Sequence, residues 1–176
     1  MGVSKIFIAG SGGQGILLMG QMLAYAAMLE DKAATFMPSY GPEMRGGLAN
    51  CTVVISDKPI SCPVIYEADL VVAMNMPSKE KFISLVKKDG ILLFNSSFEE
   101  TGARRDDIKT VALPVNDIAL EMGNAKIANM IMLGEIIRNY PVVEAESIEK
   151  VIDKVFTGKK AALVPLNKKA FRGEFK

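Results

Sequence analysis

The sequence predicts a single α/β domain of three layers, in which helices cover both faces of a mostly parallel sheet. Continuous apolar segments alternate along the chain with segments of helical periodicity. Segments such as Leu70–Met74 and Ile91–Phe94 lack polar alternation, which is typical of strands covered on both faces. With 176 residues, of which 49% are hydrophobic, the chain can fill one core, so we predict that residues 1–176 form one domain.

The same patterns give the expected elements in chain order. Strands are predicted over residues 5–9, 33–37, 49–56, 69–74, 90–94 and 110–113. Helices are predicted over residues 13–30, 79–87, 116–122, 125–139 and 145–156, with Ser78 capping the second and Pro141 separating the last two. Residues 38–47 are predicted to be a loop, because proline and glycine interrupt the apolar segment there. The basic segment 167–173 is predicted to be a solvated terminal helix or a tail that docks on another subunit.

Composition excludes several classes of function. The 21 basic and 20 acidic residues leave no electrostatic footprint for a nucleic acid or an anionic membrane. The apolar stretch Ile16–Leu29 is too short to span a bilayer, so we expect a cytoplasmic protein. Histidine is absent, which excludes a histidine acid, base or metal ligand supplied by this chain.

Two further expectations concern burial. Cys51 and Cys62 lack the spacing of a zinc or iron–sulfur site, so we expect both to be buried thiols. The first predicted helix is apolar almost all round and therefore needs a sheet or a partner to cover it. We expect the isolated chain to form a homo-oligomer through this surface.

The glycine-rich segment Gly10–Gly15 lies between the first predicted strand and the first predicted helix. Its spacing satisfies G-x-G-x-x-G in a Rossmann-like arrangement, and such a turn brings backbone N–H groups close to an anion at a helix N-terminus. A dinucleotide site also needs an acid at the end of the second strand, and Asp31 lies before that strand. No Gly-Lys-Ser/Thr follows the glycines, so the segment is not a Walker A loop.

A second segment that carries chemistry is Ser39–Gly47, which follows the second predicted strand. Turn-forming residues there hold an aromatic, an acid and a guanidinium on one short loop, at the sheet edge where α/β proteins bind ligands. An ordinary connection with an internal Glu43–Arg45 ion pair is the alternative, and the residues alone do not decide between the two.

Four segments in this order resemble the gamma subunit of 2-oxoacid:ferredoxin oxidoreductases, and of these enzymes most closely the type that acts on 2-oxoglutarate. They are Gly10–Gly15, Ser39–Gly47, Ala68–Asn75 and Ala128–Gly134, and the resemblance extends over nearly the whole chain. It implies membership of an enzyme complex that decarboxylates a 2-oxoacid on thiamine diphosphate, reduces ferredoxin through iron–sulfur clusters and releases an acyl-coenzyme A.

The resemblance also implies how the work is divided. Thiamine diphosphate, magnesium and the iron–sulfur clusters are expected on partner chains of the alpha, beta and delta types, with ferredoxin as the acceptor of the complex. This chain is expected to bind no cofactor alone, to have no catalytic residue or metal site, and to be inactive when isolated. Coenzyme A, or alternatively a partner chain, is expected to contact Gly12, Gly13, Gln14, Gly15, Tyr40, Gly41, Glu43, Arg45, Gly46 and Gly47.

Two other functions remain open at this point. A free-standing NAD(P)-dependent oxidoreductase is disfavoured by the missing ribose-binding acid. A nucleotide-sensing or purely structural interaction module fits the absence of catalytic side chains. Within the leading interpretation, 2-oxoglutarate is the expected substrate, with pyruvate, branched-chain oxoacids and indolepyruvate as alternatives.

Overall fold

The computed structural model describes residues 2–40, 47–98 and 104–175, except for the side chain of Tyr40. The strands are β1 (Ser4–Ser11), β2 (Ala33–Tyr40), β3 (Leu48–Ser56), β4 (Ala68–Ala73), β5 (Val86–Asn95) and β6 (Lys109–Leu113). The α-helices are α1 (Ile16–Leu29), α2 (Met76–Phe82), α3 (Val115–Glu121), α4 (Ala128–Asn139), α5 (Ala145–Val155) and α6 (Val164–Arg172). Short 3₁₀ turns cover Ile83–Leu85, Ala125–Ile127 and Gly158–Leu163.

The six strands form one sheet in the order β2-β3-β1-β4-β5-β6. β1, β4, β5 and β6 pair in parallel, whereas β3 is antiparallel to both β1 and β2. Only β3 therefore runs against the others among the described strands, and the predicted mostly parallel α/β sheet is confirmed. The carboxyl ends of β1, β4 and β5 meet at one edge, which positions the candidate site.

Alternate residues of β1 point into two separate cores. Ile6 and Ile8 belong to the larger core under α1, α4, α5 and α6, while Phe7 and Ala9 belong to a smaller core under α2. Both faces of the sheet are thus covered, and the predicted three layers are present. The second layer is thin, because one short helix and its 3₁₀ extension supply it.

The prediction of a loop over residues 38–47 was wrong at its start. Pro38, Ser39 and the backbone of Tyr40 continue β2 and pair with β3 in antiparallel register. A proline fits here because β2 is an edge strand, where the missing N–H breaks no central ladder.

The second helix was also predicted wrongly. Asn75, and not Ser78, caps α2, since its side chain accepts a hydrogen bond from the Ser78 N–H at 2.9 Å. The helix ends at Phe82, and Lys87 lies in β5. There its ammonium pairs with the buried Asp69 of β4. The segment predicted as one helix over residues 79–87 therefore contains the end of a short helix, a 3₁₀ turn and the start of a strand.

The basic C-terminal segment is a helix docked on its own domain rather than a solvated one. Asn167, Ala170 and Phe171 of α6 are buried, and Gly134 of α4 lets the two helices approach closely. A Cβ atom at Gly134 would lie 2.1 Å from the main-chain oxygen of Phe171. The polar face of α6 is tied to α5 by the Arg172–Glu149 and Lys168–Asp153 ion pairs.

Helix α1 packs against the sheet on one side and α5 on another. Tyr25, Met28 and Leu29 at its C-terminal end remain exposed. Self-association through this end of the helix stays a prediction. No helix in the described ranges has the length and apolar character needed to cross a membrane.

The two cysteines differ in environment, so the expectation that both are buried was half wrong. Cys51 of β3 is fully buried beneath α1, with its thiol 3.7 Å from the Ile16 carbonyl oxygen. Burial raises the pKa of this thiol to about 12. Cys62 is exposed in the segment between β3 and β4.

We expect a thiol reagent at pH 8 to modify one cysteine per native chain and two in denaturant. The Cys51 thiol is neutral below about pH 12 and is also screened by α1, so it offers no thiolate to the reagent. Peptide mass spectrometry after iodoacetamide treatment should place the native label on Cys62. Labelling of Cys51 at a comparable rate would contradict the packing of α1 on β3.

Candidate ligand site at the glycine turn

The carboxyl ends of three parallel strands converge at the glycine-rich turn. β1 runs into the turn over residues 10–15, β4 is followed by Met74 and Asn75, and β5 ends at Asn95. The Met74 N–H donates to the Ala9 carbonyl oxygen at 2.8 Å and extends the β1–β4 pairing to this edge. Side chains from three loops can therefore meet at one point.

Gln14 holds the turn closed through its side-chain amide. Its Oε1 accepts from the Ser11 N–H at 2.7 Å and from Asn75 Nδ2 at 3.2 Å, and its Nε2 donates to the Met74 carbonyl oxygen at 3.0 Å. Asn75 Nδ2 also donates to Ser11 Oγ at 2.8 Å. The predicted amide donor of Gln14 is thus engaged within the turn, and the residue fixes the shape of the turn.

Asn95 completes this polar network from β5. It is fully buried, its Nδ2 donates to the Met74 carbonyl oxygen at 3.2 Å, and its Oδ1 accepts from the Ser97 N–H at 3.1 Å. Ser97 Oγ in turn accepts from the Asn116 N–H at 3.0 Å at the start of α3. The network connects the glycine turn to both α2 and α3.

The backbone of the turn adopts left-handed conformations and leaves two N–H donors without a partner among the described residues. Gly13 and Gly15 have φ values of 94° and 74°, in the left-handed region that favours glycine. Gly15 is the N-cap of α1, so the prediction that this helix begins at residue 13 was wrong by three positions. The Gly12 N–H donates to the Gly47 carbonyl oxygen and the Gln14 N–H to that of Ser11, both at 3.2 Å. Within the described residues, the N–H groups of Gly13 and Gly15 have no such partner.

Two cavities flank the turn. One, of about 510 Å³, is bounded by Gly12, Gly13, Gly47 and the first residues of α1. The other, of about 290 Å³, lies toward α3 and α4, and its polar wall is formed by Gln14, Asn116, Lys126 and Asn129. The N-terminal end of α1 lies between the two, and its partial positive charge favours an anion in either.

Asn129 of α4 is the least expected feature of the second cavity. The residue is only 6% exposed, yet its amide has no hydrogen-bond partner in the part of the chain that the structure describes. It contacts Gly15, where an added Cβ atom would lie 2.3 Å from Asn129 Nδ2. The amide atoms themselves are not cut off from solvent, so they face the cavity and are available to a polar ligand.

Of the residues predicted for the site, the structure brings together Gly12, Gly13, Gln14, Gly15 and Gly47. Tyr40 ends β2 at the same edge of the sheet. Gly41, Glu43, Arg45 and Gly46 lie outside the described residues, and their part in the site stays a prediction. Sequence reasoning missed both Lys126 and Asn129 as site residues; a polar residue inside an apolar helical pattern was the available signal for Asn129.

The arrangement is suited to binding an anion. Neither cavity has an Asp or Glu among the described residues that line it. No group of three or more His, Cys, Asp or Glu side chains that could hold a metal ion occurs in residues 2–40, 47–98 and 104–175. Backbone N–H groups, amides and one lysine are the polar groups that a ligand would meet.

This chain is similar to known proteins over most of its length. The family model for pyruvate ferredoxin/flavodoxin oxidoreductase matches residues 5–173. The 2-oxoglutarate synthase subunit KorC of Methanocaldococcus jannaschii is 38% identical over 151 residues, which are 84% of this chain and 81% of that protein. The ketoisovalerate oxidoreductase subunit VorA of Methanothermobacter marburgensis is 36% identical over 156 residues. That match includes 88% of this chain but only 32% of VorA, so the chain spans about a third of the length of that relative.

A solved structure shares the fold at similar identity. The gamma subunit of a keto/oxoacid ferredoxin oxidoreductase from Geobacter sulfurreducens PCA superimposes with a TM-score of 0.83 and 31% identity. The superposition covers 98% of this chain and 96% of that one. The glycine turn and the helices around it thus belong to a fold found in subunits of such enzymes.

Proposed function

Since the chain belongs to the pyruvate ferredoxin/flavodoxin oxidoreductase family, we propose that it acts as the gamma subunit of a 2-oxoacid:ferredoxin oxidoreductase and contributes the coenzyme A site. The observation that carries the proposal is the glycine turn at the N-terminus of α1, whose Gly13 and Gly15 N–H groups have no partner among the described residues and which lies beside the amide of Asn129. Coenzyme A presents a diphosphate, and a helix N-terminus in a glycine-rich turn is suited to that group.

We propose 2-oxoglutarate as the substrate of the complex. KorC of Methanocaldococcus jannaschii, which is named a 2-oxoglutarate synthase subunit, is 38% identical to this chain, whereas the common gamma subunit of pyruvate/ketoisovalerate oxidoreductases of Pyrococcus abyssi is 34% identical. Comparison of 2-oxoglutarate, pyruvate and ketoisovalerate as substrates of the assembled complex decides between the alternatives.

We place the redox chemistry on partner chains of the alpha, beta and delta types, with ferredoxin as the acceptor and the cytoplasm as the location. The described side chains support placing magnesium and the iron–sulfur clusters on those partner chains, and we place thiamine diphosphate there with its magnesium. Cys51 is buried under α1, Cys62 is exposed in another segment, and the described part of the chain offers no cluster of metal-binding side chains. The role of this chain is to complete the complex and to bind coenzyme A.

The purified chain is expected to be colourless and to show no oxidation of 2-oxoglutarate with a viologen dye. Addition of the partner chains should restore turnover that depends on coenzyme A. Absorbance, metal analysis and steady-state rates check these statements. Turnover by the isolated chain would contradict the proposed division of labour.

Isothermal titration of the full chain with coenzyme A and with NADH separates a coenzyme A site from a dinucleotide site. We expect heat from coenzyme A and none from NADH, because Pro38, Ser39 and Tyr40, which end β2, include no acid that would hold the NAD ribose. Binding of NADH alone would replace the proposal with a free-standing NAD(P)-dependent oxidoreductase. If coenzyme A binds neither the free chain nor the complex through these residues, its site lies elsewhere.

A further inference from the structure

The cavity beside the glycine turn continues into another one along the N-terminal half of α1. This third cavity, of about 310 Å³, lies between α1, α4 and the segment that leads into α6. Lys126 and Asn129 line both cavities, so the two are adjacent parts of one crevice. The far part of the crevice is lined by Leu18, Asn124, Ile127, Phe156, Lys160, Leu163 and Asn167.

The crevice is positively charged. Two lysines, Lys126 and Lys160, line it, and none of its described lining residues is Asp or Glu. Both lysines are exposed, and neither ammonium has an ion-pair partner within the described ranges. Lys168, on the neighbouring helix α6, is by contrast paired with Asp153 at 2.8 Å. The charge of Lys126 and Lys160 is therefore available to a ligand.

The far part of the crevice also has an apolar wall. Leu18, Phe156 and Leu163 line the same cavity as Lys160. An apolar surface next to a cation is suited to a nucleoside that carries a phosphate, because the base packs on the surface while the phosphate contacts the ammonium.

We propose that the far part of the crevice is a second anion subsite, in which Lys160 and Lys126 bind a phosphate on the ribose of the ligand. The first anion subsite is the glycine turn with Asn129. This inference rests on the proposed function, which supplies coenzyme A as the ligand; coenzyme A carries a diphosphate and a separate ribose phosphate. Lys160 is then the residue that distinguishes coenzyme A from dephospho-coenzyme A, and Lys126 lies within reach of both subsites.

The test measures the affinity of the full chain for coenzyme A and for dephospho-coenzyme A by isothermal titration. Native chain is expected to bind coenzyme A about ten- to a hundredfold more tightly, the range of one charge-assisted hydrogen bond. Lys160→Gln should remove that preference and leave the affinity for dephospho-coenzyme A unchanged. Lys126→Gln should weaken the binding of both ligands.

Lys159→Gln is the matched control, because it removes the same charge one residue away and Lys159 does not line the crevice. It should change neither affinity. Thermal melts show whether each variant is folded, and exposed lysines on a short turn are expected to leave the melting temperature unchanged. Equal binding of the two ligands by the native chain, or a Lys160→Gln effect no larger than that of Lys159→Gln, would overturn the second subsite while the proposed coenzyme A site stands. Absence of binding for both ligands, by the free chain and by the assembled complex, would overturn the proposed coenzyme A site with it.

Discussion

Gly134→Ala is expected to lower the free energy of unfolding by about 2 kcal/mol. The added Cβ atom would lie 2.1 Å from the Phe171 carbonyl oxygen, a main-chain atom that moves only if α6 moves away from α4. Overpacking of this kind costs roughly 1–3 kcal/mol, here at the upper end, while alanine in a helix interior recovers about 1 kcal/mol. For a domain of this size the melting temperature should fall by roughly 4–8 °C.

The sign of the change makes the measurement decisive. If α6 were not docked on α4, the substitution would remove only the cost of glycine in a helix and would raise stability by about 1 kcal/mol. Amide hydrogen exchange over α6 should accelerate in the variant, because the lost contact lies at Phe171. Lys150→Ala, on the exposed face of α5, is the control and should stay within about 0.5 kcal/mol of the native chain.

Gly15→Ala is expected to cost about 2–3 kcal/mol and to disturb the candidate site as well. Its φ of 74° penalises any L side chain by roughly 1–2 kcal/mol. The added Cβ atom would also lie 2.3 Å from Asn129 Nδ2, so the amide of Asn129 must leave its position at roughly 1 kcal/mol. Denaturant unfolding gives the stability, and titration with coenzyme A should show weaker binding.

Two further variants separate the backbone strain at Gly15 from the steric contact between its added Cβ atom and Asn129. Gly13 has a φ of 94°, but a Cβ atom added there would have no heavy atom within 4 Å, so Gly13→Ala should show the conformational penalty alone. Combining Gly15→Ala with Asn129→Ala should recover the contact part of the cost, measured as a coupling energy in a double-mutant cycle. A cost for Gly15→Ala equal to that for Gly13→Ala, with no coupling to Asn129, would show that the contact is unimportant.

The parts of the fold that local sequence dictates were predicted well. β1 and β4 are short, continuously apolar segments, and such segments leave little choice but a buried strand. The position of β3 between β2 and β1 could not be predicted, because antiparallel pairing there depends on residues far apart in the chain. The loop was wrongly predicted to begin at Pro38 for the same reason: a proline is tolerated in β2 only because β2 is an edge strand, which depends on distant pairing.

The candidate site also has a part that local sequence predicts and a part that depends on residues far apart in the chain. The glycine turn is formed by residues that are adjacent in sequence, and its backbone conformation requires glycines, so the sequence pattern predicts it. Lys126 and Asn129 arrive from more than 100 residues away, and only the docking of α4 beside the turn brings them to it. Asn75 follows β4 and Asn95 ends β5, but the link between them, through Gln14 and the Met74 carbonyl oxygen, became visible only in three dimensions.

The hydrogen-bond network around Gln14 has a thermodynamic consequence for ligand binding. Gln14, Asn75 and Asn95 tie the turn to three strand ends and two helices before any ligand arrives. The conformational entropy of ordering the turn is therefore lost during folding and not during association. A ligand meets donors that already point in fixed directions, and its own immobilisation remains the main entropic cost of binding.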